Sequence, residues 1–194
     1  MITTTLILTR LPNDEFTHPS LGTGYRGRFG TLIALQGPKL SAVQAVPSGS
    51  VAGTSAIKIP SGSVLDIKTS APGDIREIDR FTTIERLNGM VQLPPQYRIG
   101  NKAYGLEYEP TNPVVIKLKS TGGKCFHVRG GLTHAQRGIL IHEAPHVGWL
   151  EGCIGPRRLG DKSKDDRAAD SAKTAMNVLF SLHPKPSELW VLDW

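Results

Sequence analysis

The feature that most constrains this chain is how often it is interrupted. Its 194 residues include 21 glycines and 14 prolines, spread along the whole length. Proline lacks a backbone N–H, and glycine pays the largest entropy to be ordered, so neither tolerates long helix interiors. Punctuation at this density cuts a chain into short elements and favours a β-rich architecture.

The hydrophobic pattern agrees. Strands are predicted over 3–9, 30–35, 82–86, 114–119, 124–129 and 138–142, where apolar and β-branched residues cluster or alternate. The run Gly138-Ile139-Leu140-Ile141-His142 is apolar enough for a central, buried strand. The proline-rich segment 93–99 reads as a turn that continues extended, because each proline disfavours helix at the residue before it. A low-complexity stretch, 41–74, carries Pro47-Ser48-Gly49-Ser50-Val51 and again Pro60-Ser61-Gly62-Ser63-Val64. Two copies are too few for a solenoid. The stretch reads as a hairpin or long loop inserted in one domain spanning 1–194, with strand composition over 63–68.

One helix is predicted, near the C-terminus. Ala168, Ala172, Ala175, Met176, Leu179 and Phe180 recur at helical spacing. Asp165 and Asp166 suit its N-terminal end, and His183-Pro184 stops it. The segment 188–194 is a final short strand or packed tail.

Charge and targeting bound the partners. A net charge of +6 favours polyanions. No basic run interleaves with aromatics, however, so nucleic acid is not expected as a partner. No apolar run reaches the ~18 residues of a membrane helix, so an integral membrane protein is not expected. The N-terminal segment lacks the basic and apolar regions of a secretory signal, which implies synthesis in the cytoplasm. The two cysteines, Cys125 and Cys153, make no disulfide framework; they could form one bridge, or one could be a nucleophile.

Two chemistries compete for the segment 138–155. His142-Glu143-Ala144-Pro145-His146 matches the H-E-x-x-H zinc pattern, which works only on a helix, where both imidazoles share a face. Here a strand precedes it and Pro145 falls inside it, so a metal is not expected. The other chemistry is a cysteine nucleophile. Gly152-Cys153 follows His142 by a short loop, and a histidine leaving a sheet can take the proton of a thiol on the adjacent strand. This predicts a thiolate–imidazolium pair with a depressed thiol pKa. Gly152 lets a substrate approach the backbone, where the amides of Gly152 and Cys153 can form an oxyanion hole. His127 lies on a predicted neighbouring strand, where it could orient His142 or simply pack, and Trp149 could wall a substrate or pack.

Isoleucine-histidine, a loop, then glycine-cysteine-isoleucine resembles the core motif of L,D-transpeptidase catalytic domains. It is closer still to a short, uncharacterised phage- and bacteria-associated relative with Ile139-Leu140-Ile141-His142 and Glu151-Gly152-Cys153-Ile154 as they stand here. Arg10, Gly30-Thr31-Leu32 and Tyr97-Arg98-Ile99 fit the same relative loosely, and 137–155 fits it tightly. The transpeptidase pattern has glycine after the histidine, serine-histidine before the glycine-cysteine, and an arginine two residues beyond. Here those positions hold Glu143, Leu150-Glu151 and Gly155, and the nearest arginines are Arg157 and Arg158.

The resemblance implies a mainly β fold, a twisted sandwich or barrel-like sheet with one C-terminal helix. It implies cysteine-dependent acyl transfer on peptidoglycan stem peptides through a thioester, with water or an amine as acceptor. Cys153 would be the nucleophile and His142 the base. Gly152 and Cys153 would hold the oxyanion, and Arg157, Trp149 and His127 would contact substrate. No cofactor or metal is implied. Without a signal, the site of action in the periplasm or cell wall would be reached through a phage lysis system or a secretion machine. The competing expectation is a non-catalytic phage or secretion-particle component that uses the same fold for assembly or wall binding.

Overall fold

The computed structural model describes the chain except for residues 51–56, 88–93, 96, 97, 99, 114, 116–120, 131–137 and 194, and the side chains of residues 11 and 12. The protein is mainly β. Among the described residues, eight strands close a barrel in the order β1 (Thr3–His18), β11 (Pro186–Asp193), β7 (Tyr104–Glu109), β8 (Cys125–Arg129), β9 (Leu140–Ile141), β10 (Ile154–Arg158), β6 (Arg76–Arg86), β2 (Gly22–Gly37). The first and last strands pair in parallel, as do β9 and β10; the other barrel pairs are antiparallel.

The period-2 alternation of strands sorts side chains into two environments. All eight barrel strands send residues such as Leu6, Leu32, Phe81, Phe126, Ile154 and Val191 to one shared cluster, which is therefore the barrel interior. The residues between them point outward. Ile7, Ile33 and Trp190 pack beneath a small sheet of β3 (Leu40–Val46), β5 (Val64–Thr69) and β4 (Ile57–Lys58). Phe29, Ile84, Cys125, Leu140 and Cys153 form a second outer cluster, covered by Ala144, Val147 and Leu150 of the segment after β9.

The single helix among the described residues, α1 (Ala169–Ser181), lays Ala175, Met176 and Leu179 on the interior cluster. A 3-10 turn, Asp166–Ala168, leads into it, and the side chain of Asp165 caps that turn by accepting from the Arg167 N–H at 3.2 Å. The predicted helix is thus present, entered one turn later than its acidic start suggested.

Several elements are longer or shorter than predicted. The strand expected over 3–9 continues to His18 and forms a long hairpin with β2. The 41–74 insertion is neither a loop nor a lone hairpin; its described residues form the three-stranded sheet. Strands β7 and β10 went unpredicted. In β10 the cause is Pro156, a residue normally kept out of central strands. It is tolerated because β9 pairs with β10 only at Ile154, leaving one side of Pro156 without a ladder among the described residues. The strand expected over 114–119 and most of the 93–99 turn lie outside the described residues, apart from Val115, Pro94, Pro95 and Arg98.

Candidate active site

The ladders around β9 decide which side chains meet. Ile141 pairs with Phe126 of β8 and with Ile154 of β10, and all three face the interior. Continuing the ladders by one residue sets Cys125 level with His142 and Cys153 level with Leu140. The four therefore share the outer face, with β9 in the middle. The His142 N–H donates to the Ile154 carbonyl at 3.1 Å, which carries the sheet one residue beyond β9.

This placement excludes one expected alternative. Cys125 and Cys153 stand on opposite sides of β9 and two residues apart along it, so strand spacing alone keeps them more than about 9 Å apart. A disulfide needs Cα atoms within about 7 Å. Both cysteines are free.

His142 is 3% exposed. Its Nδ1 lies 2.7 Å from the Glu143 carbonyl oxygen. A carbonyl only accepts, so Nδ1 carries the proton and Nε2 holds a bare lone pair. Burial lowers the imidazole pKa to about 4, against the opposing pull of that carbonyl. His142 is therefore neutral at neutral pH, in the tautomer a general base requires.

Cys153 is 8% exposed. Its thiol makes long contacts to its own strand neighbours. Leu140 N–H donates to Sγ at 3.4 Å, and Sγ–H points to the Gly138 carbonyl at 3.9 Å. Burial raises its pKa to about 11, although the Leu140 and Glu151 amides favour the thiolate; the Glu151 carboxylate adds to the rise. The expected low-pKa thiol is therefore corrected. In this structure the thiol and imidazole share a face as neutral groups, and no hydrogen bond joins them. The cause is burial of the thiol in the apolar cluster that Cys153 shares with Val147, Leu150 and Phe29, which penalises charge.

Glycines shape the turn that presents Cys153. Gly152 has φ 99°, in the left-handed region that disfavours a side chain. At Gly155, a Cβ would stand 2.9 Å from the Ala144 Cβ and 3.0 Å from Ile84. Residue 155 must therefore be small, held between Ala144 of the covering loop and Ile84 of β6.

The remaining expected residues fall in different places. Arg157 is fully buried. Its guanidinium donates to the Pro145 carbonyl at 2.6 Å and to the Ser163 carbonyl, so it clamps two loops onto β10 and presents nothing to a substrate. Trp149 is 45% exposed on the 3-10 turn Val147–Trp149, edge-on to His146, and can wall a substrate. His127 does not orient His142. Its Nδ1 donates to Glu109 at 2.7 Å and its Nε2 accepts from Arg129 at 3.3 Å, so both ring nitrogens are engaged. The segment 142–146 lies between β9 and the 3-10 turn, so the helical face that H-E-x-x-H requires does not form.

Sequence reasoning missed Glu109. It accepts from Asn112, His127 and Arg129. Burial acts to raise its pKa, but the Asn112 and His127 hydrogen bonds and the nearby charges outweigh it and hold the carboxyl below its ordinary range. The available signal was the alternation Glu107-Tyr108-Glu109 opposite His127-Val128-Arg129; their register could not be read without the fold. No protein-family model, curated protein or solved structure matches the chain.

Proposed function

We propose that the outer face at Cys153 and His142 is a cysteine acyl-transfer site of the L,D-transpeptidase kind, acting on peptidoglycan stem peptides. One observation carries the reading: the Glu143 carbonyl fixes His142 in the tautomer with a free Nε2, one strand from a thiol set on a glycine turn. The neutral pair implies proton transfer at the moment of attack, without a preformed ion pair. The Cys153 Sγ–H turns from Gly138 to His142, and the sulfur attacks a peptide carbonyl. The amides of Gly152 and Cys153 hold the oxyanion, and the imidazolium protonates the departing amine. Water or a second amine then resolves the thioester. Trp149, exposed on the 3-10 turn that follows His142, would wall the substrate, and the protein's positive charge suits an anionic wall reached through a lysis or secretion route.

A second reading has an observation of its own. Burial of both groups, with no hydrogen bond between them, suits a fold kept for assembly or wall binding. Mass analysis of muropeptides incubated with the protein separates the two. Acyl transfer predicts cleaved or cross-linked products and a covalent adduct on Cys153. It also predicts that Cys153→Ala and His142→Ala each abolish turnover, the double variant being no worse than either single one. Intact muropeptides with wild-type protein would remove the enzymatic reading.

A further inference from the structure

Two histidines that this chemistry does not use face each other beside the cover of the Cys153 face. His18 ends β1 at the tip of the β1–β2 hairpin, and His146 opens the 3-10 turn Val147–Trp149. Their ring centroids are 4.8 Å apart, at an interplanar angle of 70°.

Each ring uses Nδ1 as an acceptor. His18 Nδ1 accepts from the Ser20 and Leu21 N–H groups, both at 3.1 Å. His146 Nδ1 accepts from the Gly148 N–H at 3.0 Å. A backbone N–H only donates, so each Nδ1 must be bare and the proton of each neutral ring sits on Nε2. For His146 that nitrogen faces Asp166 at 3.4 Å. For His18 it is buried with no partner among the described residues. Protonation puts hydrogen on Nδ1 and turns an acceptor into a donor. An imidazolium at either position cannot keep these backbone bonds.

We propose that His18 and His146 form an acid-sensitive latch: their protonation breaks the hairpin-tip and 3-10 caps together and releases the Val147–Trp149 cover from the Cys153 face. The cover is contiguous with that face. Val147 and Leu150 share a cluster with Cys153, and Val147 reaches over Gly27 beside Phe16. The charged groups around the pair act in both directions. Asp165 and Asp166, at the turn before α1, favour protonation of His146. The His18 ring and Arg157 from β10 oppose protonation of His146. Burial is the largest influence and holds the His146 pKa below its ordinary value, so release falls on the acid side of the usual histidine range.

Asparagine supplies the non-titrating control, because its side-chain oxygen can accept the same backbone N–H groups. Amide exchange followed by NMR at pH 7.5 and pH 5, corrected for the intrinsic exchange rate, should show Gly148 and Leu21 losing about tenfold or more of their protection in the wild-type chain. Dithiodipyridine labelling of Cys153, located by peptide mass mapping, should rise over the same range relative to the unfolded chain. The His18→Asn/His146→Asn variant should keep its protection at pH 5. Equal loss in both proteins, or no loss in the wild type, would overturn the latch. If the variant does not fold, nitrogen-15 shifts of the wild-type rings decide: Nδ1 protonated while Gly148 stays protected also overturns it. None of these measurements requires turnover, so they stand or fall apart from the acyl-transfer reading.

Discussion

His142 shows how one residue's surroundings set its chemistry. An isolated histidine titrates near 6.5. Here burial takes it to about 4. The folded state therefore binds fewer protons than the unfolded state between these values, and stability rises with pH across that window. The contribution is complete above the unfolded pKa and is lost as pH falls from about 6.5 towards 4. A shift of this size corresponds to about 3 kcal/mol. Denaturant unfolding of wild type and His142→Asn at steps from pH 7 to pH 4 isolates it. The wild type should lose about 3 kcal/mol more than the variant, and superimposable pH profiles would contradict the assigned burial. The same burial explains why Cys153 is a neutral thiol: charge is costly in the dry part of this face that holds His142 and Cys153.

At the scale of elements, α1 makes the sharpest test. Its apolar positions were readable from helical spacing, and they bury against the barrel's shared cluster. Leu179 is fully buried there. Leu179→Ala should cost about 3 kcal/mol, the transfer of the removed atoms plus the cavity left behind. Lys173→Ala, on the exposed face, should change stability by less than about 0.5 kcal/mol. Chemical denaturation reads both, and equal effects would mean that α1 does not pack as described. Strand β9 makes the contrary point. It has two residues, yet it positions His142, because its neighbours β8 and β10 supply the pairing that its own length cannot.

Closure of the whole barrel rests on contacts far apart in the chain. Inside it, Arg10 of β1 makes two hydrogen bonds to Glu85 of β6, at 2.8 and 2.7 Å, and a third to Asp193 of β11 at 3.0 Å. Arg10 and Glu85 are both buried. Removing one member of such a pair strands the other's charge, which costs about 3–5 kcal/mol. Arg10→Met should therefore destabilise strongly, while Arg10→Met with Glu85→Leu should recover much of the loss. Thermal unfolding of the two variants checks this, and a double variant as unstable as the single one would argue against a buried ion pair. This cluster joins the first strand, a middle strand and the last, so its partners lie 75 and 183 residues from Arg10.

Local physics was enough to determine the class of the chain, its helix and its most suggestive segment. Glycine and proline density imposed short extended elements, helical spacing from Ala172 to Leu179 marked α1, and Gly152-Cys153 after Ile141-His142 marked a thiol beside a strand-end histidine. These are properties of neighbours in sequence, where backbone sterics and side-chain periodicity act. Register, burial and tautomer belong to the tertiary structure, because each depends on groups brought from elsewhere in the chain. Nothing near Cys153 in sequence says that Phe29 and Ile84 will dry its surroundings and keep the thiol neutral. Nothing near His127 announces that Glu109 will engage its ring. Arg157 had the right charge and position for a substrate contact, but packing turned it inward onto two carbonyls. The sequence alone brought the candidate residues into one segment; the fold decided which of them share a face, which are buried, and which proton each one holds.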